Sequence, residues 1–345
     1  MMDLTMPRTA LVPRRFRLPA ADGSILPGLA LALGLALLAL ALQRAAGIPG
    51  LGPMILGVGL GIVLRTCAGP IPQTGPGLRF AMRRLLRLGI VLLGLQVTVA
   101  QVAAVGLGGL VAITLTLALT FVVTRAVGRA MGVDGRLCDL IAAGTAVCGA
   151  SAILAANTVT RGRDEDVAYA VACITLLGTA SMLLLPLLAA PLGLTPEIYG
   201  LWVGASVHEV AQVVGAAFAQ GDVAGQSGTV AKIARVMLLA PLVMAMGLMA
   251  ARRGGGSTGR APMPWFALGF IAMILLNSVI DLPDVLRQTT GSVTTVLLTV
   301  ALVAMGLETD LSRLRAVGLR PLLLGVFATL FVSATALVLI LLLAA

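Results

Sequence analysis

A chain of 345 residues with 59% hydrophobic and 11% charged residues cannot be a soluble globular protein, in which roughly a quarter of the residues carry charge. Its mean hydropathy of +1.05 and its long apolar runs require a lipid bilayer as solvent. The formal charge of +10 is confined to short arginine clusters between those runs, and aromatics at 3% are too few to stack bases, so nucleic acid is excluded as a partner.

In chain order, Arg8, Arg14, Arg15 and Arg17 precede an apolar run from Ile25 to about Leu42. The run is too long for a signal-peptide core, and further spans follow it. It reads as an uncleaved first transmembrane helix behind a cytoplasmic segment, residues 1–24, with residues 25–345 forming one transmembrane domain. Spans are expected near 25–43, 49–65, 85–105, 107–128, 138–159 and 166–192, then near 198–219, 227–250, 264–281, 289–307 and 319–344. The second is short and glycine-rich, which leaves ten or eleven spans.

Eleven spans make the charge asymmetry of the loops consistent. One side then carries the N-terminal arginines together with Arg79, Arg83, Arg84 and Arg87, Arg125, Arg129 and Arg136, Arg252, Arg253 and Arg260, and Arg313, Arg315 and Arg320. The other side holds Arg44, Arg161, Arg163 and Arg287, most of them beside acidic residues. This predicts a multi-pass protein of the plasma (inner) membrane, N-terminus in the cytoplasm and C-terminus outside. Cys67, Cys138, Cys148 and Cys173 have no metal-ligand or redox spacing and read as free thiols.

Residues 94–110 align without gaps on residues 306–322, with seven identities in seventeen positions, and the same offset places Leu56-Gly57 on Leu268-Gly269. The copies lie an odd number of spans apart and therefore run in opposite directions. Inverted repeats of this kind belong to alternating-access transporters, whose substrates bind at the midplane. A second likeness, Gly149-Ala150-Ser151 with Gly204-Ala205-Ser206 in spans five and seven, does not fit that duplication.

Span five carries Thr145, Cys148, Gly149, Ser151 and Asn157. A helix interrupted near Cys148-Gly149 would present a half-helix N-terminus to an anion; small residues could instead serve close helix packing. Span seven holds the sole histidine, His208, beside Glu209, with Gln212 one turn on. Ionisable groups inside a span are costly and face the bundle interior, which makes this segment the strongest site signal. The HEVAQ segment lacks the second histidine of a zinc motif. In span eight, Lys232 and Arg235 share a face and either snorkel to the interface or form a cationic floor for an oxyanion. Asn277 and Glu308 are lesser candidates.

The segments CGASAI at 148–153, GASVHEVAQVVGAA at 204–217, KIARVMLLAP at 232–241, PWFALGF with LLNS at 264–278, and AMGLETDL at 304–311 resemble the YeiH-type sulfate exporter family over nearly all of residues 25–345. That family is similar at a distance to bile-acid/sodium symporters and sodium/proton antiporters. The resemblance implies an all-α polytopic membrane protein with a panel domain, a core domain and two crossing, interrupted helices. It implies a core built on the spans near 138–159 and 198–219, with Ser151, His208, Glu209 and Gln212 near the site and Lys232 and Arg235 balancing substrate charge.

The expected function is secondary transport of a small oxyanion such as sulfate, sulfite or a sulfonate, coupled to a proton or a sodium ion, without a cofactor or enzymatic activity. The competing readings are cation/proton antiport on Glu209 and an intramembrane hydrolase with Ser151 or Cys148 as nucleophile and His208 as base. The oligomeric state stays open, a homo-oligomer included.

Overall fold

The computed structural model describes residues 24–46, 52–251, 265–280, 282–309 and 319–344. The expectations placed on residues 1–23, on the 252–264 loop and on Arg313 and Arg315 lie outside the described residues. Within them the chain is a succession of helices, as a bilayer demands: each span must satisfy its own backbone groups.

The first spans are α1 (Leu26–Ala46) and α2 (Pro53–Ala68). Span three comprises α3 (Gly75–Phe80), a π-helical turn (Ala81–Leu85) and α4 (Leu86–Leu93), closed by a 3-10 turn at Gly94–Gln96. It therefore begins earlier than the expected 85–105, and the tail of that interval is a separate short helix, α5 (Val99–Ala104). The reason is that Arg79, Arg83 and Arg87 are carried on one exposed helical face, so a charged stretch is helical too. Next come α6 (Gly106–Ala130), α7 (Gly135–Ala146), α8 (Ala150–Thr160) and α9 (Asp164–Ala189). They are followed by α10 (Pro196–Ser206), α11 (Val210–Phe218), α12 (Asp222–Met237) and α13 (Leu239–Ala251). The chain ends with α14 (Trp265–Val279), α15 (Asp284–Glu308) and α16 (Leu319–Leu343).

Among the described residues, six helices can cross a membrane by length and apolarity alone: α1, α6, α9, α12 continued by α13, α15 and α16. The other expected spans are shorter apolar helices or interrupted pairs. Spans five and seven are the pairs α7/α8 and α10/α11, broken at 147–149 and 207–209.

The helices sort into two bundles. The panel packs α1, α2, α3, α4 and α15 around Ala32, Ala36, Leu78, Ala81, Val303 and Leu307, with α14 on α4. The core packs α6 against α16 and α7, and α10 against α12, and holds both interrupted pairs. The bundles meet where α11 faces α15, a Cβ on Gly215 there standing 3.3 Å from Leu302, and where Gln226 of α12 donates to the Gln96 carbonyl at 3.0 Å.

The inverted repeat appears as paired contacts. Gly94 approaches the backbone of Phe270 and the side chain of Met273, and Gly306 approaches the backbone of Val58 and Gly61. Gly57 touches Val303, and Gly269 touches Val91. The offset that places Gly94 on Gly306 also places Val58 on Phe270, Gly61 on Met273, Gly57 on Gly269 and Val91 on Val303. The α2/α15 and α14/α4 contacts are thus copies of each other.

The same offset relates α6 to α16, which pack directly on one another. The buried stripe Ala112, Thr116, Thr120, Thr124 and Gly128 and its counterpart Leu324, Ala328, Val332, Ala336 and Ile340 lie on these two helices. Contacts at Gly128–Leu324 and Gly108–Leu343 show that they run antiparallel. The two-fold relation runs between them. Small side chains here let the helices approach closely, which is the main source of helix association in lipid.

Because Gly94 and Gly306 are equivalent, Gly94→Val and Gly306→Val are expected to cost alike. Each forces a branched side chain onto a neighbouring backbone, an overpacking worth about 1–3 kcal/mol. Thermal melts of the purified variants in detergent check this. One variant melting like wild type while the other collapses would refute the equivalence.

Candidate functional site

The two interruptions meet in the core. In the first, α7 ends at Ala146, and Gly149 turns the chain into α8 with φ +66°, a left-handed value that disfavours any residue with a Cβ. A Cβ on Gly149 would also stand 2.6 Å from Glu209 Cγ. In the second, α10 ends at Ser206, and Glu209 is the N-cap of α11. The Glu209 N–H donates to Gln212 Oε1 at 3.1 Å while the Glu209 carboxylate accepts from the Gln212 N–H, a capping box.

Each interruption leaves the carbonyls of the preceding half-helix without intrahelical partners. Lys232 and Arg235, fully buried on α12, supply them. Lys232 Nζ donates to the carbonyls of Val147 (2.7 Å), Val207 (2.8 Å) and His208 (2.6 Å). Arg235 donates to Ala146 (2.6 Å), Val207 (3.0 Å) and Thr145. Two cations thus close two helix C-termini, where the helix dipole favours positive charge. They reach so far inward because Gly200 and Gly204 bring α10 against the backbone of α12 at Ala224 and Gly228. Neither cation snorkels, and as a substrate floor they are already engaged by backbone.

On the other side of the crossing stand the N-termini of α8 and α11, and Glu209 occupies both. Its carboxylate accepts from the Ala150 N–H at the start of α8, from Gln212 at the start of α11, and from Thr175 Oγ1 of α9 at 3.1 Å. Glu209 is half-buried, and Ser151 beside it is exposed. The Cys148 sulfur, nearly buried, accepts from the Ala152 N–H.

Sequence spacing had placed His208 and Gln212 one turn apart on a helical face. The break corrects this: His208 lies before α11 and turns to α16, whereas Gln212 turns to α9. The Thr329 hydroxyl donates to the Gly325 carbonyl (2.9 Å) and lies 3.2 Å from His208 Nε2. It therefore accepts from Nε2–H, which assigns that tautomer and leaves Nδ1, an atom without a partner, as a buried acceptor. Gln212 Nε2 donates to the Thr175 carbonyl at 3.0 Å and to Thr179 Oγ1 at 3.3 Å, and lies 3.9 Å from Met305 Sδ of the panel.

The structure brings Thr145, Cys148, Gly149, Ser151, His208, Glu209, Gln212, Lys232 and Arg235 to the crossing. It does not bring Asn157 or Asn277 there. Asn157 closes the far end of α8, its Oδ1 accepting from Gly162 N–H at 2.7 Å. Asn277 sits on α14 and donates to the Val97 carbonyl at 2.9 Å. Sequence reasoning missed Thr175, one unremarkable threonine in an apolar span, whose role only contact with Glu209 reveals. Glu308 lies apart, half-buried in a cavity of about 210 Å³ lined also by Arg65, Pro70 and Thr74.

The two Gly-Ala-Ser segments resolve into different devices. Gly149-Ala150-Ser151 follows its break and opens α8, whereas Gly204-Ala205-Ser206 precedes its break and ends α10. The first serves a backbone turn and the second serves close helix packing.

Comparison with known proteins places the chain among membrane proteins. Residues 27–325 match the family model described as conserved hypothetical protein 698. A UPF0324 membrane protein of Pseudomonas aeruginosa is 38% identical over 317 residues, covering 87% of this chain and 89% of its own. The UPF0324 inner membrane protein YeiH of Salmonella typhimurium is 37% identical over 324 residues, covering 89% and 92%. A UPF0324 membrane protein of Corynebacterium glutamicum is 36% identical over 291 residues, covering 84% of each. No solved structure matches the chain.

Proposed function

We propose that this chain, which belongs to the conserved hypothetical protein 698 family of UPF0324 membrane proteins, is a secondary transporter that moves a small oxyanion by alternating access. The observation that carries the reading is the charge at the crossing. Two buried cations, Lys232 and Arg235, face a single carboxylate, Glu209, so the centre of the core holds an excess positive charge that an entering anion balances. The crossing also abuts the panel through Gln212 and Met305, the boundary along which one bundle can rock against the other.

Sulfate, sulfite and sulfonates are the substrates of choice, since their oxygens suit backbone N–H groups and hydroxyls such as Ser151 and Thr175. Glu209 is the natural carrier of a coupling proton. A relative named an inner membrane protein supports the same membrane for this chain, and the arginine asymmetry of the loops supports an N-terminus in the cytoplasm and a C-terminus outside.

Cation/proton exchange on Glu209 is the second reading, favoured by the presence of a half-buried acid at the crossing. The two cations behind it repel a metal ion and weigh against it. A hydrolase reading finds no support in geometry: His208 spends Nε2 on Thr329, and its Nδ1 meets neither Ser151 nor Cys148.

The deciding experiment is uptake of labelled sulfate and sulfite into proteoliposomes under an imposed proton gradient. Saturable uptake that collapses with the gradient is expected. Sodium flux without anion flux would transfer the assignment to the second reading.

A further inference from the structure

A half-helix N-terminus attracts anions, and here two of them, from α8 and α11, converge on one spot. That spot is filled by the protein's own carboxylate. Glu209 takes the Ala150 N–H, the Gln212 N–H and the Thr175 hydroxyl, the donors an oxyanion would use. Its seat lies beside Lys232. Glu209 is half-buried, unlike the fully buried Lys232 and Arg235, and its neighbour Ser151 is exposed. The absence of a Cβ at Gly149 leaves the room in which the carboxylate sits.

From this geometry we infer that Glu209 is a tethered competitor for the substrate anion. The inference rests on the anion-transport reading above. Both anions cannot occupy the paired N-termini at once, so an oxyanion enters only when Glu209 gives up its charge by taking a proton. Release of the oxyanion lets the carboxylate return and lose that proton. Proton uptake is thereby tied to anion binding without any separate proton site.

The other titratable or charged groups around the carboxylate are Lys232, with Arg235 behind it, from α12, Cys148 from the first break, and His208 from its own. α9 presents Thr175, and α15 presents Met305 and Leu302 next to α11. Among these, Glu209 alone is an acid at the N-terminal side of both breaks.

The test is binding of labelled sulfate to the full chain in nanodiscs between pH 5.5 and 8, where sulfate itself stays dianionic. Wild type is compared with Glu209→Gln and Glu209→Ala, and folding is verified by size exclusion and thermal melting. A carboxylate that competes when charged makes wild-type affinity fall as pH rises, by up to about tenfold per pH unit for one linked proton. Both variants are expected to bind about tenfold more tightly than wild type at pH 7.5 and to lose the pH slope.

Should the variants fail to fold, wild type alone answers in weakly buffered medium, where adding sulfate is expected to draw about one proton per anion bound. Variants that bind sulfate with the wild-type slope, or wild type that binds without proton uptake, overturn the tether and leave anion transport standing. No sulfate binding by folded wild type or either variant removes the anion reading and the tether with it.

Discussion

Lys232→Met is expected to destabilise the protein more than any other single substitution in the core. Methionine matches the length of lysine but donates nothing, so the carbonyls of Val147 and His208 lose their partner and Val207 keeps only Arg235. A buried carbonyl left without a hydrogen bond costs about 1–3 kcal/mol, and these carbonyls face a fully buried side chain. The opposing term is real, because burying a cation is itself expensive and an apolar replacement sometimes stabilises. It does not win here, since the carbonyls stay behind: they are backbone, and no side-chain change removes them. A loss of about 3 kcal/mol is expected, or roughly 5–10 °C in the melting temperature, with Lys232→Arg intermediate. Thermal melting of the purified variants decides it, and a Lys232→Met protein as stable as wild type would show that the breaks close without the ammonium.

On the transport reading proposed above, Gly149→Ala is expected to cut uptake roughly a hundredfold with a smaller loss of stability. The residue sits at φ +66° and ψ −130°, a region essentially reserved for glycine, at a strain of about 1–3 kcal/mol for alanine. The new methyl would also stand 2.6 Å from Glu209 Cγ and 3.1 Å from its Oε1. Glutamate must therefore shift, and its carboxylate leaves the Ala150 N–H. A displacement of about 1 Å at a site of this kind can cost roughly a hundredfold in rate. Gly34→Ala is the control, since nothing lies within 4 Å of a Cβ there. Uptake rates in proteoliposomes, normalised to reconstituted protein, compare the two, and a transport-competent Gly149→Ala would remove Glu209's position from the mechanism.

The architecture was largely legible in the sequence because lipid imposes a strong rule. Every stretch that crosses must be long, apolar and helical, so the spans around α6, α9 and α16 announce themselves by hydropathy. The repeat was legible too, because Gly94 and Gly306 are needed at equivalent close approaches and have kept their neighbours in register. Span three was misplaced for the converse reason. Hydropathy avoids arginine, yet Arg79, Arg83 and Arg87 belong to the helix and are exposed on one face.

The candidate site was legible in its residue types but not in its wiring. Glu209, His208, Lys232 and Arg235 stand out in sequence because ionised groups are expensive in a membrane, and that expense alone singles them out. What the groups bond to depends on where the helices stop. Spacing along an unbroken span put His208 and Gln212 on one face, whereas the break at 207–209 sends one to α16 and the other to α9. Thr175 carries no sequence signal at all, being one hydroxyl in an apolar run.

By itself, then, the sequence determined that the chain spans a membrane many times, that it carries an internal duplication, and which few ionisable residues lie within apolar spans. These follow from composition and periodicity, which act locally along the chain. The tertiary structure decided that Lys232 and Arg235 serve backbone carbonyls and that Glu209 sits on two helix N-termini. Those partners come from segments far apart in the chain, and only the packing of α10 on α12 and of one interruption on the other brings them within hydrogen-bonding distance.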